Sequence, residues 1–194
     1  PNCCANLRII GAHQDGGFAD YVVAPVAKLF AIPDGMSAYK ASFAEPVAIG
    51  VQSCRRGQVS ADDTVLILGA GPIGLGVTIW LKLRGVEHVV VADVLPERLR
   101  TALDVGADAV IDSATEDVTA QLVALHGPGA NALGQSRAGT DIYIDAAGVP
   151  AVFHMAVDSA KWKAKLVMVA VQKPSDKIDL GGMLRSELTL VASQ

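Results

Sequence analysis

From residue 64 to the end of the chain, short apolar runs alternate with longer segments of helical periodicity. The runs are rich in Val, Ile and Leu, which is typical of strands buried on both faces of a sheet. Alternation of this kind predicts βαβ units and a parallel sheet. We place six strands, over residues 65–68, 89–92, 109–111, 142–144, 166–169 and 188–191.

Four helices are predicted between these strands, over about residues 73–84, 96–105, 115–125 and 151–159. Pro96 and Pro150 stand at the starts of two of them, where proline is favoured because the first helical N–H has no partner within the helix. The predicted fold class is therefore α/β, a doubly wound parallel six-stranded Rossmann sheet with the expected strand order 3-2-1-4-5-6.

Two regions lack this pattern. Residues 127–140 are rich in Gly, Ala, Ser and Asn without periodicity, which predicts a loop. Residues 15–23 indicate a turn entering a strand, and residues 32–35 a second turn. We interpret the part before residue 64 as a piece of a second domain, and because the chain begins with Pro1 we expect it to belong to a longer protein.

Residues 64–81 carry no charge, and their length approaches that of a membrane-spanning helix. Gly69, Gly71, Pro72, Gly74 and Gly76 interrupt the stretch, so it is better explained as a strand, a tight turn and a helix. No membrane segment is expected.

The net charge of −4 provides no general attraction to nucleic acid or to anionic lipid. Small molecules are the expected partners. Only three cysteines occur, without CxxC spacing, which indicates a reducing compartment, and we expect a cytoplasmic protein.

The sequence Gly69-Ala70-Gly71-Pro72-Ile73-Gly74 matches the GxGxxG pattern of dinucleotide-binding turns. It follows an apolar strand and opens an apolar helix, and this context makes a short pattern specific. Gly69 permits the sharp turn, Gly71 lets the backbone approach a pyrophosphate, and Gly74 lets the helix pack against the strand. The N–H groups at the start of the helix then face the phosphates.

Asp93 ends the second strand, nineteen residues after Gly74. A carboxylate there is placed to accept hydrogen bonds from the ribose hydroxyls and would repel the 2′-phosphate of NADP, so NAD is the predicted cofactor. Arg98 argues against this preference for NAD, since an arginine can accommodate the 2′-phosphate of NADP. We expect it to line the adenine side, with a solvated helix residue as the alternative.

Further cofactor contacts are predicted where the other strands end, because ligands gather at the carboxyl ends of parallel strands. Small side chains after the fourth and fifth strands would admit the nicotinamide. The predicted contacts, in addition to the glycine turn with Pro72 and Ile73 and to Asp93 and Arg98, are Val94, Ala146, Ala147, Gly148 and Val171.

Several longer motifs occur in a recognisable order. Residues 45–57, Glu-Pro-Val-Ala-Ile-Gly-Val-Gln-Ser-Cys-Arg-Arg-Gly, precede Val-Leu-Ile-Leu-Gly-Ala-Gly-Pro-Ile-Gly at residues 65–74. Together with residues 15–21, 32–37 and 106–108, they resemble the zinc-dependent medium-chain dehydrogenases, particularly the sorbitol, threonine and sugar-acid branch. The resemblance implies that residues 1–57 are the tail of a GroES-like catalytic domain with a linker helix, and that residues 58–194 are the NAD-binding Rossmann domain.

In that family, a cysteine and a His-Glu pair hold a catalytic zinc, and a four-cysteine lobe often holds a structural one. This chain has neither a Gly-His-Glu motif nor a spaced cysteine lobe. By position, Cys4 resembles the last cysteine of the lobe. The alternative interpretation is that Cys4 serves only as a small apolar residue. Glu45 resembles the glutamate near the catalytic zinc, as a ligand or through its water, with a helix-capping role as the alternative.

The resemblance implies a parent enzyme that transfers hydride from a secondary alcohol of a polyol, sugar acid or hydroxy amino acid to NAD, with zinc as a second cofactor. This chain alone is expected to bind NAD without catalysing the reaction. A non-catalytic NAD-binding module or sensor is the alternative, and a zinc-free reductase is disfavoured because such enzymes usually prefer NADPH. The family also implies a homo-oligomer that pairs through the sixth strand.

Overall fold

The computed structural model describes residues 4–172 and 177–194. The chain divides into two compact units, Pro1–Phe43 and Ala44–Gln194. The predicted domain boundary between residues 57 and 58 stays a prediction, but by packing the helix Ala44–Gly57 belongs to the second unit.

The first unit contains little regular structure, a short 3-10 helix at Val26–Lys28 and the helix α1 at Ala38–Ala41. The predicted second turn is present, because the N–H of Met36 donates to the carbonyl of Pro33 over 3.1 Å. The strand expected by residue 23 is not present, and this prediction was wrong. A strand requires backbone pairing, and no strand of the described residues lies beside this segment.

The second unit is built on a six-stranded sheet of order β3-β2-β1-β6-β7-β8, in which all neighbouring strands are parallel. This is the predicted α/β fold with the predicted strand order. In chain order the strands of the unit are β1 (Thr64–Leu68), β2 (His88–Asp93), β3 (Ala109–Asp112), β4 (Pro128–Ala130), β5 (Ser136–Ala138), β6 (Ile142–Asp145), β7 (Lys165–Met168) and β8 (Thr189–Ala192).

Helices cover both faces of the sheet. They are α2 (Ala44–Gly57), α3 (Pro72–Leu83), α4 (Pro96–Asp104), α5 (Val118–His126), α6 (Pro150–Ser159) and α7 (Leu180–Ser186). Helices α3, α4 and α6 begin with proline, as favoured at a helix start. Helix α5 begins later than predicted because the side chain of Asp117 caps it, accepting the N–H of Ala120 over 3.1 Å. The sequence did not predict α7, a short helix containing two glycines.

Alternate residues of the central strands supply two separate cores. Val65 and Ile67 point to one face of the sheet, and Leu66 and Leu68 to the other. All four are 3% exposed or less, which explains why these strands are apolar throughout.

Helices α2 and α3 approach closely through glycine. A Cβ placed on Gly50 would lie 2.8 Å from the backbone nitrogen of Val77 and 2.9 Å from the carbonyl carbon of Gly76. A Cβ on Gly76 would lie 3.4 Å from the Cα of Val47. The start of α3 is therefore fixed by backbone contacts with α2 as well as by the sheet.

The segment predicted as a loop, residues 127–140, contains the antiparallel pair β4–β5. The side-chain oxygen of Asn131 accepts the N–H groups of Leu133 and Gln135, which closes the turn between the two strands. The loop prediction was wrong here because the turn is held by an asparagine side chain, and strands this short show no alternating pattern.

Among the described residues, none of the helices has the length and apolarity that crossing a bilayer demands. The uncharged stretch at residues 64–81 forms β1, a turn and most of α3, as its glycines indicated.

The half-buried histidine at the end of α5 makes stability depend on pH. His126 Nδ1 lies 2.9 Å from Thr140 Oγ1, while Nε2 is buried with no hydrogen-bond partner among the described residues. The pKa of His126 is lowered to about 4, chiefly by burial and also by the nearby His88 and Lys161, while Asp141 acts in the opposite direction. The unfolded chain therefore takes up this proton at a higher pH than the folded chain does.

We expect the free energy of unfolding to fall as pH drops from about 6.5, the ordinary histidine pKa, to about 4. His126→Asn retains a polar atom near Thr140 but does not titrate, so its stability should depend less on pH across this range. Urea denaturation at several pH values measures the difference. His13→Asn, at an exposed histidine, is the control and should retain the wild-type pH dependence. Identical pH profiles for wild type and His126→Asn would contradict the assignment.

Candidate cofactor site at the carboxyl edge of the sheet

A cleft of about 480 Å³ opens where β1, β2 and β6 end. It lies where the strand order reverses on either side of β1, the position at which open α/β sheets bind ligands. Seven of the residues predicted from the sequence line it, namely Gly69, Gly71, Asp93, Val94, Arg98, Ala146 and Ala147.

The three glycines of the turn meet different surroundings. Gly69 has φ +104°, and a Cβ there would lie 3.1 Å from the carbonyl carbon of Ala146. A Cβ on Gly74 would collide with the carbonyl oxygen of Gly69. A Cβ on Gly71 would have no atom within 4 Å. Gly69 and Gly74 are thus required by the fold, whereas Gly71 borders open space in the cleft.

The turn leads into the first turn of α3. Gly71 is the N-cap, Pro72 is the first helical residue, and the N–H of Leu75 is bonded to the carbonyl of Gly71 over 2.9 Å. The preceding N–H groups of Ile73 and Gly74 have no carbonyl within the helix to bond, and with the helix dipole they favour an anion at this end. Pro72, Ile73 and Gly74 lie in this helical turn and not in the cleft lining.

Asp93 is fixed at the end of β2. Its Oδ2 accepts the N–H of Ala70 over 2.7 Å, and its Oδ1 accepts the N–H of Leu95 over 3.0 Å. The residue is 8% exposed, and Arg98 Nη1 lies 3.8 Å from Oδ2 with its side chain half exposed. One carboxylate therefore supports the glycine turn and borders the cleft, leaving further lone pairs free to accept.

Asp145, which the sequence did not predict, holds the turn after β6. Its Oδ1 accepts the N–H groups of Ala147 and Gly148 over 3.0 and 2.8 Å. Its Oδ2 accepts the side-chain amide of Gln172 over 2.7 Å. A signal was present, since Asp145 ends a buried strand just as Asp93 does. Gly148 is buried outside the cleft lining.

The remaining walls of the cleft are mostly apolar. They come from α5, from α6 and the residue before it, and from the residue after β3, and include Ser113, Val118, Val149, Ala151, Val152 and Met155. The sequence did not predict these residues because helical periodicity shows which positions are apolar but not which of them border a cavity. Val171, predicted as a contact, is exposed and lies outside the lining.

Glu45 lies exposed in the first turn of α2, and Cys4 is an exposed free cysteine of the first unit. Within residues 4–172 and 177–194, no group of three or more His, Cys, Asp or Glu residues could hold a metal ion. The described residues therefore do not provide a zinc site, and the roles of Cys4 and Glu45 as zinc ligands stay predictions.

Comparison with known proteins agrees with this architecture. The family described as "Zinc-binding dehydrogenase" matches residues 72–194. The starvation-sensing protein RspB of Escherichia coli K12 is 32% identical over 195 residues, spanning 100% of this chain and 54% of that protein. L-threonine 3-dehydrogenase of Shewanella woodyi is 32% identical over 176 residues, spanning 91% of this chain and 49% of that enzyme.

Solved structures are similar to this chain. RspB of E. coli CFT073, a structure described as an alcohol dehydrogenase complexed with NADH, has a TM-score of 0.87 and 32% identity, and the match covers 100% of this chain and 54% of that one. A zinc-binding dehydrogenase of Sinorhizobium meliloti 1021 bound to NADP has a TM-score of 0.86 and 32% identity, with coverages of 99% and 55%.

The sheet order, the glycine turn and the cleft together define a Rossmann-type domain. The chain belongs to the zinc-binding dehydrogenase family, as its motifs indicated. It spans about half the length of the curated relatives that it matches.

Serine substitutions should separate the structural glycine from the one that borders the cleft. Gly74→Ser forces a side chain against the backbone of Gly69, and we expect it to lower the free energy of unfolding by about 2 kcal/mol. Gly71→Ser introduces a favoured N-cap residue into open space, and its stability should equal or slightly exceed that of the wild type. Urea denaturation compares the two. Greater destabilisation by Gly71→Ser would contradict these roles.

Proposed function

We propose that this chain binds NAD in the cleft and forms the coenzyme-binding part of an NAD-dependent alcohol dehydrogenase. The observation that carries the proposal is the pairing of two features at one cleft. Gly71 leaves open space at the start of α3, and Asp93 holds a carboxylate at the end of the neighbouring strand β2. This combination suits a pyrophosphate beside a ribose.

Each half of the cleft suits one part of the cofactor. The N–H groups at the start of α3 would hold the pyrophosphate, and Asp93 would accept from the adenosine ribose hydroxyls. The apolar wall that includes Val118 and Val152 would receive the adenine. Ala146 and Ala147, after β6, provide small side chains on the other side of β1, where the nicotinamide would lie.

NAD is favoured over NADP because the Asp93 carboxylate would repel a 2′-phosphate. Arg98 acts in the opposite direction, and the similar S. meliloti protein bound NADP in its structure. In this chain, however, Asp93 is fixed by two backbone N–H groups, so its charge cannot swing away from the ribose position without losing both hydrogen bonds.

When bound, the nicotinamide supplies hydride transfer to or from an alcohol carbon. We infer that the alcohol is a small secondary one, of a polyol, sugar acid or hydroxy amino acid, because dehydrogenases of threonine, galactonate and idonate are among the similar proteins. The chain's own part is to bind and orient the cofactor. The alternative is that the protein is a binding module without catalytic activity. It would bind the same cofactor, but no longer form of the protein would oxidise an alcohol.

Calorimetric titration with NAD and NADP tests the cofactor assignment. We expect NAD to bind more tightly than NADP. Asp93→Asn keeps the size of the side chain and one acceptor oxygen but removes the charge, so it should weaken NAD about tenfold and reduce the preference over NADP. Gly71→Ser, which is expected to fold normally, should weaken both cofactors by filling the pyrophosphate position.

Asp112→Asn is the matched control for this titration. Asp112 ends the neighbouring strand β3, and its carboxylate accepts the N–H of Ala114 over 3.0 Å, but it does not line the cleft. The variant should bind both cofactors as the wild type does. Binding of neither cofactor by the wild-type chain would overturn the proposed function.

We further infer a homo-oligomer that pairs through β8, as the family resemblance implied. β8 lies at one end of the sheet and pairs only with β7 on its described side. The N–H of Thr189 donates to Ala164, just before β7, and that of Ser193 donates to Met168 in β7. In the alternating pattern of a strand, the N–H groups of Leu190 and Ala192 therefore point to the open edge. Such an edge can accept a strand of a second copy.

Light scattering should therefore give about twice the mass of one chain for the wild type. Ala192→Pro removes an outward N–H but leaves the pairing with β7 intact, so it should shift the protein to monomer without unfolding it. Ala192→Ser keeps that N–H and should remain dimeric. A wild type that stays monomeric at high concentration would contradict pairing through β8.

A further inference from the structure

The carboxylate of Asp145 is completely buried, with 0% of the residue exposed. Burial of a carboxylate costs free energy unless hydrogen bonds replace its water. Here the donors are two backbone N–H groups of the turn after β6, from Ala147 and Gly148, and the side-chain amide of Gln172 beyond the end of β7.

The backbone of Asp145 joins the same two segments. Its carbonyl oxygen accepts the N–H groups of Val169 and Ala170, each over 3.0 Å. A Cβ on Gly148 would lie 2.7 Å from the carbonyl oxygen of Val171, so the segments after β6 and β7 are in direct contact. Strands β6 and β7 are already paired through their backbones, so the pairing itself does not require the side-chain link.

Gln172 gives up side-chain freedom for this link. The residue is exposed, yet its amide reaches a buried carboxylate over 2.7 Å. Ordering an exposed glutamine has an entropic cost, which the hydrogen bond to a charged group offsets. The result is a defined geometry for the backbone just after β7, at the edge of the sheet where the cleft lies.

We propose that Asp145 and Gln172 are positioning residues that order the nicotinamide end of the cofactor site. This inference rests on the proposed NAD binding. Asp93 and Ser113 lie on the β2–β3 side of β1, so a dinucleotide that crosses β1 from the ribose site at Asp93 places its other end beside β6 and β7. Ala146 and Ala147, which line that part of the cleft, are held in place by Asp145.

ADP-ribose is the probe that isolates this end, because it contains the adenosine, both phosphates and the second ribose but lacks the nicotinamide. We expect Gln172→Leu to weaken NADH about fivefold, since a hydrogen bond to a charged group is lost. Its affinity for ADP-ribose should stay within about twofold of wild type. The fluorescence enhancement of bound NADH, which reports an ordered dihydronicotinamide ring, should fall in the same variant.

Two further variants complete the experiment. Asp145→Asn retains an oxygen for Ala147 and Gly148, and its amide can pair with the rotated amide of Gln172, so it should retain most of the NADH affinity. Gln58→Leu is the matched control, because Gln58 is exposed near the opposite edge of the sheet, where its oxygen lies 3.4 Å from Lys165 Nζ. It should bind both ligands as the wild type does.

Equal weakening of NADH and ADP-ribose by Gln172→Leu would overturn the inference, because a general structural role affects both ligands alike. Unchanged binding and fluorescence of NADH would also overturn it. If the wild-type chain binds neither ligand, the proposed function itself fails. This failure is seen in the unsubstituted chain, whereas failure of the present inference is seen only when Gln172→Leu is compared with a wild type that binds.

Discussion

The close approach of backbone segments around the turn between β1 and α3 constrains the rest of the second unit. Gly69 lies against the backbone of Ala146, Gly74 lies against the carbonyl of Gly69, and Gly50 of α2 lies against the backbone of Gly76 in α3. A side chain at any of these places would push apart a strand end, a helix start or a pair of helices. The start of α3 therefore points into the cleft because glycine allows its neighbours to be this near.

Two aspartates stabilise this edge in the same manner. Asp93 ends β2 and Asp145 ends β6, the two strands that flank β1. Each directs its carboxylate to backbone N–H groups that would otherwise lack partners where the ladder stops, Asp93 to Ala70 and Asp145 to Ala147. The edge thus obtains rigidity from charge-assisted hydrogen bonds, and the two carboxylates stand on opposite sides of the proposed pyrophosphate position.

This chain belongs to the zinc-binding dehydrogenase family, and its second unit contains the six-stranded sheet. The described residues provide no cluster for a metal, while the cleft in which we propose that NAD binds is lined by residues of the second unit. Cofactor binding and metal binding therefore make separate demands on the chain.

The sequence by itself determined the sheet and the centre of the site. Apolar runs too continuous for a half-exposed strand predicted a parallel sheet, and the spacing from the glycine turn to Asp93 predicted the edge of the sheet at which the cleft opens. Both signals are local properties of the chain. The predicted contacts Gly71, Asp93 and Ala146 all border the cleft.

Only the tertiary structure decided which other residues meet at that edge. Asp145 and Gln172 are far apart in sequence and come together because β6 and β7 end side by side. The loop predicted near Asn131 became a hairpin through a side-chain bond, and the strand predicted by residue 23 did not form without a pairing strand. In each case the outcome depended on a partner that local pattern does not specify, since hydrogen bonds between distant segments exist only once the chain has folded.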